Sequence, residues 1–312
     1  MNILVTGIAG DIGFGIGKIL KETKGVKKLV GCDTHSDHFG NQVFDFCEKI
    51  PKVTEPGYEK AFRRLVAQKK IQGVFVASEP ELRYFAKKNL TKISKKITFF
   101  MPNKKTIKIG FDKFKTSQFI SKINIPCPWT RKVATENPLE FPCILKSRYG
   151  SGNKSVHLVK TAKEARAYKK LFRTYIWQEF LGDKTKEFTC GVYGSNEGEI
   201  RVIVFRRRLN SGSTCFAELV KIPIIEKICS KIAKKLSLKG SINIQLKLQK
   251  GKPMIFEINP RFSSTVLLRH QMGFRDVVWS LQENLLQLKT KYKLKRKNGA
   301  RAIRKFQEWK II

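Results

Sequence analysis

A chain of 312 residues with 41% hydrophobic side chains has material for two or three domains and a core large enough to fold on its own. No apolar run approaches the ~20 residues of a bilayer span, and Met1-Asn-Ile-Leu-Val-Thr-Gly7 lacks a basic stretch followed by a long apolar one, so a soluble cytoplasmic protein is expected. A formal net charge of +38 raises nucleic acid or another anionic polymer as a partner, yet 46 lysines and 17 arginines are spread along the whole chain rather than gathered in one stripe.

The first segment, Asn2–Gly7, reads as a buried strand that runs into Gly7, Gly10, Gly13, Gly15 and Gly17 and a helical pattern through Leu20. With the strand Lys28–Asp33 ending in a carboxylate, this βα unit has the outline of a dinucleotide-binding fingerprint. Tyr84 and Lys88 have the spacing of the Tyr-x-x-x-Lys pair of short-chain dehydrogenases, but they stand too close to the glycine loop for that family. His35 and His38 lack a third ligand nearby, and seven cysteines without a Cys-x-x-Cys pair fit reduced thiols in a core. A third strand over Ile71–Ala77 precedes a break at Met101-Pro-Asn103.

Beyond the break, Asp112-Lys113 opens a helix that leaves through Ile125-Pro126-Cys-Pro128. The segment Phe141–Val159 reads as strand, small-residue loop and strand. A lysine at the strand end, Lys146, can place its ammonium on phosphates, while Gly150, Ser151 and Gly152 let backbone N–H groups fold over them. The apolar strand Tyr175–Leu181 offers the flat slot an adenine needs, and Glu187 follows as a carboxylate for ribose hydroxyls. Arg206, Arg207 and Arg208 end the strand from Glu199; they either hold an acidic substrate or decorate an exposed edge. Pro223–Leu236 has the spacing of a core-packing helix.

The last block predicts a hairpin. Asn243 and Gln245 share one face of the first strand, and Glu257 and Asn259 share one face of the returning strand. Oxygen donors so paired suit Mg²⁺, with Arg261 placed for a phosphate oxygen. The run Glu257-Ile-Asn-Pro-Arg-Phe-Ser-Ser264 with Gln245, preceded in order by the Asp112-Lys113, Lys146, Glu179-Phe180-Leu181 and Glu187 segments, resembles the ATP-grasp enzymes. The likeness is greatest to the carbamoyl-phosphate synthase large-subunit branch, of which this chain holds one unit. Ser147 replaces the usual proline, and the linker before Glu187 is one residue longer.

The resemblance implies an α/β fold: a Rossmann-like domain over 1–102 that precedes a two-subdomain α+β ATP-grasp unit over 103–288, divided as 103–174 and 175–288, with a solvated basic tail over 289–312. It implies that Lys113 and Lys146 reach the ATP phosphates, that Glu179, Phe180 and Leu181 frame the base, that Glu187 takes the ribose, and that Gln245, Glu257 and Asn259 hold Mg²⁺ (or Mn²⁺). The implied reaction is a ligation: ATP activates a carboxylate as an acyl phosphate, which an amine attacks, with Lys146 and Arg261 neutralising charge. No ammonia-forming block is visible, so carbamoyl phosphate is not the expected product. Glu79 and Glu81 are candidates to meet an amino group of the substrate, and assembly as a homo-oligomer stays open. Two other classes remain: an NAD-dependent reductase or epimerase using the glycine loop, and a nucleic-acid or anionic-polymer binder with a degenerate ATP-grasp shell.

Overall fold

The structure, a computed structural model, describes residues 1–88, 96–150, 156–182, 187–210, 212–295 and 297–304. Short apolar runs alternating with amphipathic helices build the first sheet. Strands β1 (Asn2–Thr6), β2 (Lys28–Asp33), β3 (Phe46–Lys49), β4 (Gly73–Phe75) and β5 (Thr98–Phe100) run parallel in the order β3-β2-β1-β4-β5. A parallel sheet buries both faces, and alternation along β1 serves both. Ile3 and Val5 pack with Ile16 and Leu20 of helix α1 (Asp11–Lys21), whereas Leu4 packs with Phe62 and Leu65 of α2 (Tyr58–Gln68) and Leu82 and Phe85 of α3 (Glu79–Lys87).

The glycines of the first turn are used for close packing. A Cβ on Gly13 would lie 2.3 Å from the Gly7 carbonyl oxygen, and one on Gly17 would lie 2.4 Å from the Phe44 ring. Gly7 itself holds φ +65°, a region other residues rarely adopt. Helix α1 therefore seats directly on the turn and on Phe44.

Helices α4 (Lys104–Gly110) and α5 (Lys113–Lys122) lead into strands β6 (Thr130–Lys132), β7 (Cys143–Ser147) and β8 (Val156–Val159), helix α6 (Ala162–Leu171) and β9 (Tyr175–Glu179). These four strands make an antiparallel sheet in the order β6-β9-β7-β8. The division expected after residue 174 therefore falls one strand too early, because Ile176 and Trp177 of β9 pair with Lys146 and Leu145 of β7. A six-stranded antiparallel sheet follows in the order β14-β13-β10-β11-β12-β15: β10 (Glu187–Gly194), β11 (Ile200–Asn210), β12 (Ser213–Leu219), β13 (Gly240–Gln249), β14 (Lys252–Asn259) and β15 (Arg301–Ile303). Helix α7 (Pro223–Lys235) packs Ile225, Cys229 and Ile232 on one face of it, against Val192, Val204 and Ile244.

The chain then returns to the first sheet. Val266 of α8 (Val266–Gln271) and Val277, Val278 and Leu281 of α9 (Asp276–Leu285) join the cluster of Ile3, Val5 and Phe75, so the end of the second unit completes the core of the first. The segment expected as a solvated tail is also folded where it is described. Between exposed lysines 289, 291 and 293, Tyr292 turns inward, its ring 5.5 Å from Trp279 and its hydroxyl donating to the Val202 carbonyl at 2.8 Å. Leu288 and Leu294 stay exposed, so Tyr292 is what ties this stretch down. Among the described residues no helix is long and apolar enough to cross a membrane.

Candidate active site

A cleft of about 2170 Å³ opens between the two antiparallel sheets and the carboxyl ends of the parallel strands. The large-sheet wall is the β13–β14 hairpin, where Gln245 faces Glu257 and Asn243 faces Asn259 across the ladder. Isoleucines 242, 244 and 258 alternate onto the other face and are fully buried under the helices, which fixes the register and turns the polar set to the cleft. The pairing shifts between Gln245 and Leu246, since Leu246 pairs with Ile255. Phe256 is thus an extra residue in a β-bulge, and both Phe256 and Glu257 line the cleft.

Lys113 reaches this hairpin from the amino-terminal turn of α5. Its N-cap, Asp112, accepts from the backbone N–H groups of Phe114 and Lys115 and takes Arg148 through two bonds of 2.7 and 2.8 Å. Burial alone would raise the Asp112 carboxyl, but Arg148 and Lys115 bring it below its ordinary range. So anchored, Lys113 donates to the Gly150 carbonyl at 2.6 Å and lies 3.8 Å from the Glu257 carboxylate. Gly150 borders the cleft at φ +88°, whereas Ser151 and Gly152 of the expected phosphate loop fall outside the described residues.

Lys146 is buried, its ammonium 5.5 Å from the centre of the Phe256 ring. Burial brings its pKa down from 10.5 to about 8, with Glu257 pulling upward and Lys113 pushing further down. At neutral pH the group is mostly protonated, at a site that gains from any added negative charge. Nucleotide affinity is therefore expected to fall about tenfold per pH unit above pH 8 in the wild-type protein, and to stay flat to about pH 10 in Lys146→Arg, measured by calorimetry with a non-hydrolysable ATP analogue. The same shift acts on folding. Between pH 8 and 10.5 the unfolded lysine holds a proton that the folded one has released, so this group's contribution makes the fold more stable as pH rises through that window.

The small-sheet wall brings Ile144, Val156, Phe180 and Leu181 to the cleft. Glu179 ends β9 with its N–H donating to the Trp129 carbonyl at 3.0 Å and its carboxylate accepting from the Trp129 N–H at 3.2 Å. Glu187 starts β10 and accepts from Arg207 at 2.6 and 3.1 Å, and Arg206 pairs with Glu218, so two of the three strand-end arginines serve carboxylates of the protein. Arg261 bonds Glu79 at 3.0 Å across the cleft mouth, tying the hairpin's exit to the first turn of α3. Of the two carboxylates expected to meet an amino group, Glu79 is thus engaged, and Glu81 is buried and accepts from the Tyr58 hydroxyl at 2.7 Å.

The features that suggested a dinucleotide enzyme are spent elsewhere. The Asp33 carboxylate accepts from Ala9 N–H at 2.9 Å within the glycine turn itself. Tyr84 and Lys88 both bond Glu59, and neither lines the cleft. His38 caps a 3₁₀ turn through Gly40 N–H at 3.0 Å. Phe256 was missed from sequence, since the three apolar residues Met254-Ile-Phe256 before Glu257-Ile-Asn259 do not say which of them faces the cleft.

Residues 172–306 match the family described as "ATP-grasp in the biosynthetic pathway with Ter operon". A carbamoyl-phosphate synthase of Methanobrevibacter smithii is 23% identical over 182 residues, 52% of this chain and 49% of that protein. A probable alpha-L-glutamate ligase of Coxiella burnetii is 28% identical over 181 residues, 52% of this chain and 59% of that one. In three dimensions, N5-carboxyaminoimidazole synthetase from Staphylococcus aureus complexed with ADP superposes with a TM-score of 0.74 at 15% identity, over 94% of this chain and 79% of the other.

The chain is similar to ATP-grasp proteins in sequence over residues 172–306 and in fold over most of its length. It spans about half the length of these two curated relatives, and 22% of a carbamoyl phosphate synthase large chain of Helicobacter pylori. The donor set that lines the cleft can be judged on its chemistry. Gln245, Glu257 and Asn259 present amide and carboxylate oxygens from adjacent strands with one formal negative charge. Such a set suits a hard cation that keeps water and phosphate oxygens as its remaining ligands, as Mg²⁺ does.

Proposed function

We propose that this protein is a cytoplasmic ATP-grasp ligase that uses MgATP to activate a carboxylate as an acyl phosphate for attack by an amine. The observation that carries the reading is convergence: Lys113 and Lys146, from two separate segments, meet the Glu257 hairpin in one cleft, with Lys113 3.8 Å from Glu257. In this reading Gln245, Glu257 and Asn259 hold Mg²⁺, which supplies charge neutralisation across the phosphates when bound. Lys113 and Lys146 bind and orient the phosphates, and the apolar patch of Ile144, Val156, Leu181 and Phe256 takes the base. Glu187, aimed by Arg207, accepts from the ribose.

Phosphoryl transfer asks mainly for alignment and for cations where charge spreads, and the cleft supplies both. Arg261 stands at the junction of the nucleotide half and the parallel-sheet half, where the carboxylate would lie. Its bond to Glu79 orients the guanidinium, with Nη1 donating to the Phe262 carbonyl at 3.1 Å. The names of the Coxiella burnetii relative and of the carbamoyl-phosphate synthases support chemistry of this class. A screen of amino acids, singly and in pairs, for Mg²⁺-dependent release of ADP tests the reading. At least one carboxylate is expected to raise ADP release well above the rate with ATP alone, and an amine partner to raise it further; release by no carboxylate or amine offered refutes it.

A further inference from the structure

The face of the large sheet turned away from the cleft is covered by α4, α5 and α7, and it is basic. These three helices contain one acidic residue, Glu226, against lysines in every turn or two. Between them runs a groove of about 570 Å³ whose floor includes Phe119 and Ile123 and whose rims carry Lys105, Lys122, Lys231 and Lys235. All four lysines are exposed, and among the described residues none of them is paired with a carboxylate.

Helix stability accounts for part of this charge. Lys122 and Lys235 lie in the last turns of their helices, where a cation complements the helix dipole. Lys105 lies in the first turn of α4, the end where a cation is disfavoured, and it reaches over the groove to donate to the Lys235 carbonyl at 3.3 Å. Lys231 stands well inside α7, before the last turn. Charge is therefore placed around the groove beyond what the helices themselves need.

We propose that this groove docks an acidic, amphipathic helical segment of a partner protein. Apolar side chains at helical spacing would rest on Phe119 and Ile123, and flanking carboxylates would meet the four lysines. A nucleic-acid strand fits less well, because the rim has no arginine to fork onto phosphates and the only ring, Phe119, is half-buried in the core and not free to stack a base. The groove lies behind the sheet that walls the cleft, so a docked partner leaves nucleotide access open.

Fluorescence anisotropy at about 0.15 M salt tests this, with three labelled probes of equal net charge. One is a synthetic helical peptide with leucines at i, i+3, i+4 and i+7 among glutamates; the others are its scrambled version and a single-stranded oligonucleotide. The patterned peptide is expected to bind at least about tenfold more tightly than either control and to lose about tenfold or more in Lys122→Glu/Lys231→Glu, and a smaller share in Lys231→Glu alone. Both variants should keep the wild-type melting midpoint and ATP turnover. Equal binding of the scrambled peptide, tighter binding of the oligonucleotide, no binding at all, or an undiminished affinity in the variants overturns the proposal.

Discussion

Replacing Glu257 with glutamine is expected to lower Mg²⁺-dependent ATP turnover by at least about a hundredfold, with the fold left intact by circular dichroism. Glu257 is the one carboxylate in the hairpin set with Gln245 and Asn259, and it faces Lys113 at 3.8 Å. The substitution keeps the size and hydrogen-bonding reach of the side chain but removes the negative charge that a hard cation needs and that draws the Lys146 pKa upward. The Lys146 pKa falls further below 8 in the variant, so less of the ammonium is charged at neutral pH. Loss of metal affinity and loss of phosphate affinity should therefore appear together, as a raised requirement for Mg²⁺ and a raised KM for ATP. A Lys146→Met/Glu257→Gln double variant should be little worse than Glu257→Gln alone, because the two groups act on one charge balance.

The largest effect on stability is expected at Asp276. Arg269 and Asp276 are both fully buried and touch at 2.6 Å; Ser241 donates to the same carboxylate at 2.6 Å, and Arg269 reaches Ser263 of the loop that follows the hairpin. Burial disfavours charge on both partners, raising the carboxyl and lowering the guanidinium, and their mutual attraction works against it. The pair is also incompletely bonded, since Arg269 Nε and Asp276 Oδ1 have no hydrogen-bond partner among the described residues. Asp276→Ala strands a buried cation and should cost ~3–5 kcal/mol in denaturant unfolding, whereas Arg269→Met/Asp276→Leu should recover most of that loss. If the double variant is no more stable than the single, the cost lies in packing around Gly191, where the Arg269 side chain leaves no space for a Cβ, and not in the stranded charge.

Much of the fold was legible because its signals are local. The apolar strand before Gly7, the helix opened by Asp112-Lys113, and the alternation that puts Gln245 and Glu257 on one face each depend on residues close in sequence, and each formed as read. What escaped depends on partners far along the chain. Tyr175–Glu179 was assigned to the wrong sheet because nothing in an apolar strand names its neighbour. The lysine-rich end was read as solvated, yet Tyr292 buries itself between Phe274 and Trp279, and Arg304 pairs with Asp11 at 2.6 Å, 293 positions away. In the cleft, the apolar run Met254-Ile-Phe256 breaks the alternation without saying that a bulge will turn Phe256 inward, and Glu187 gives no hint that Arg207 will aim it. Glu79 looked available to a substrate until the fold brought Arg261 to it from 182 positions away.

Carboxylate activation can be tested without knowing the amine. Hydroxylamine replaces it as a general nucleophile, so only the carboxylate needs to be varied, and an acyl phosphate formed in the cleft is captured as a coloured hydroxamate. The expected result is hydroxamate formation with at least one carboxylate, dependent on both ATP and Mg²⁺, matched one for one by ADP, and absent in Glu257→Gln. Carboxylate-stimulated ADP release with no hydroxamate, or hydroxamate formed equally by Glu257→Gln, would contradict an acyl phosphate made at the Glu257 hairpin.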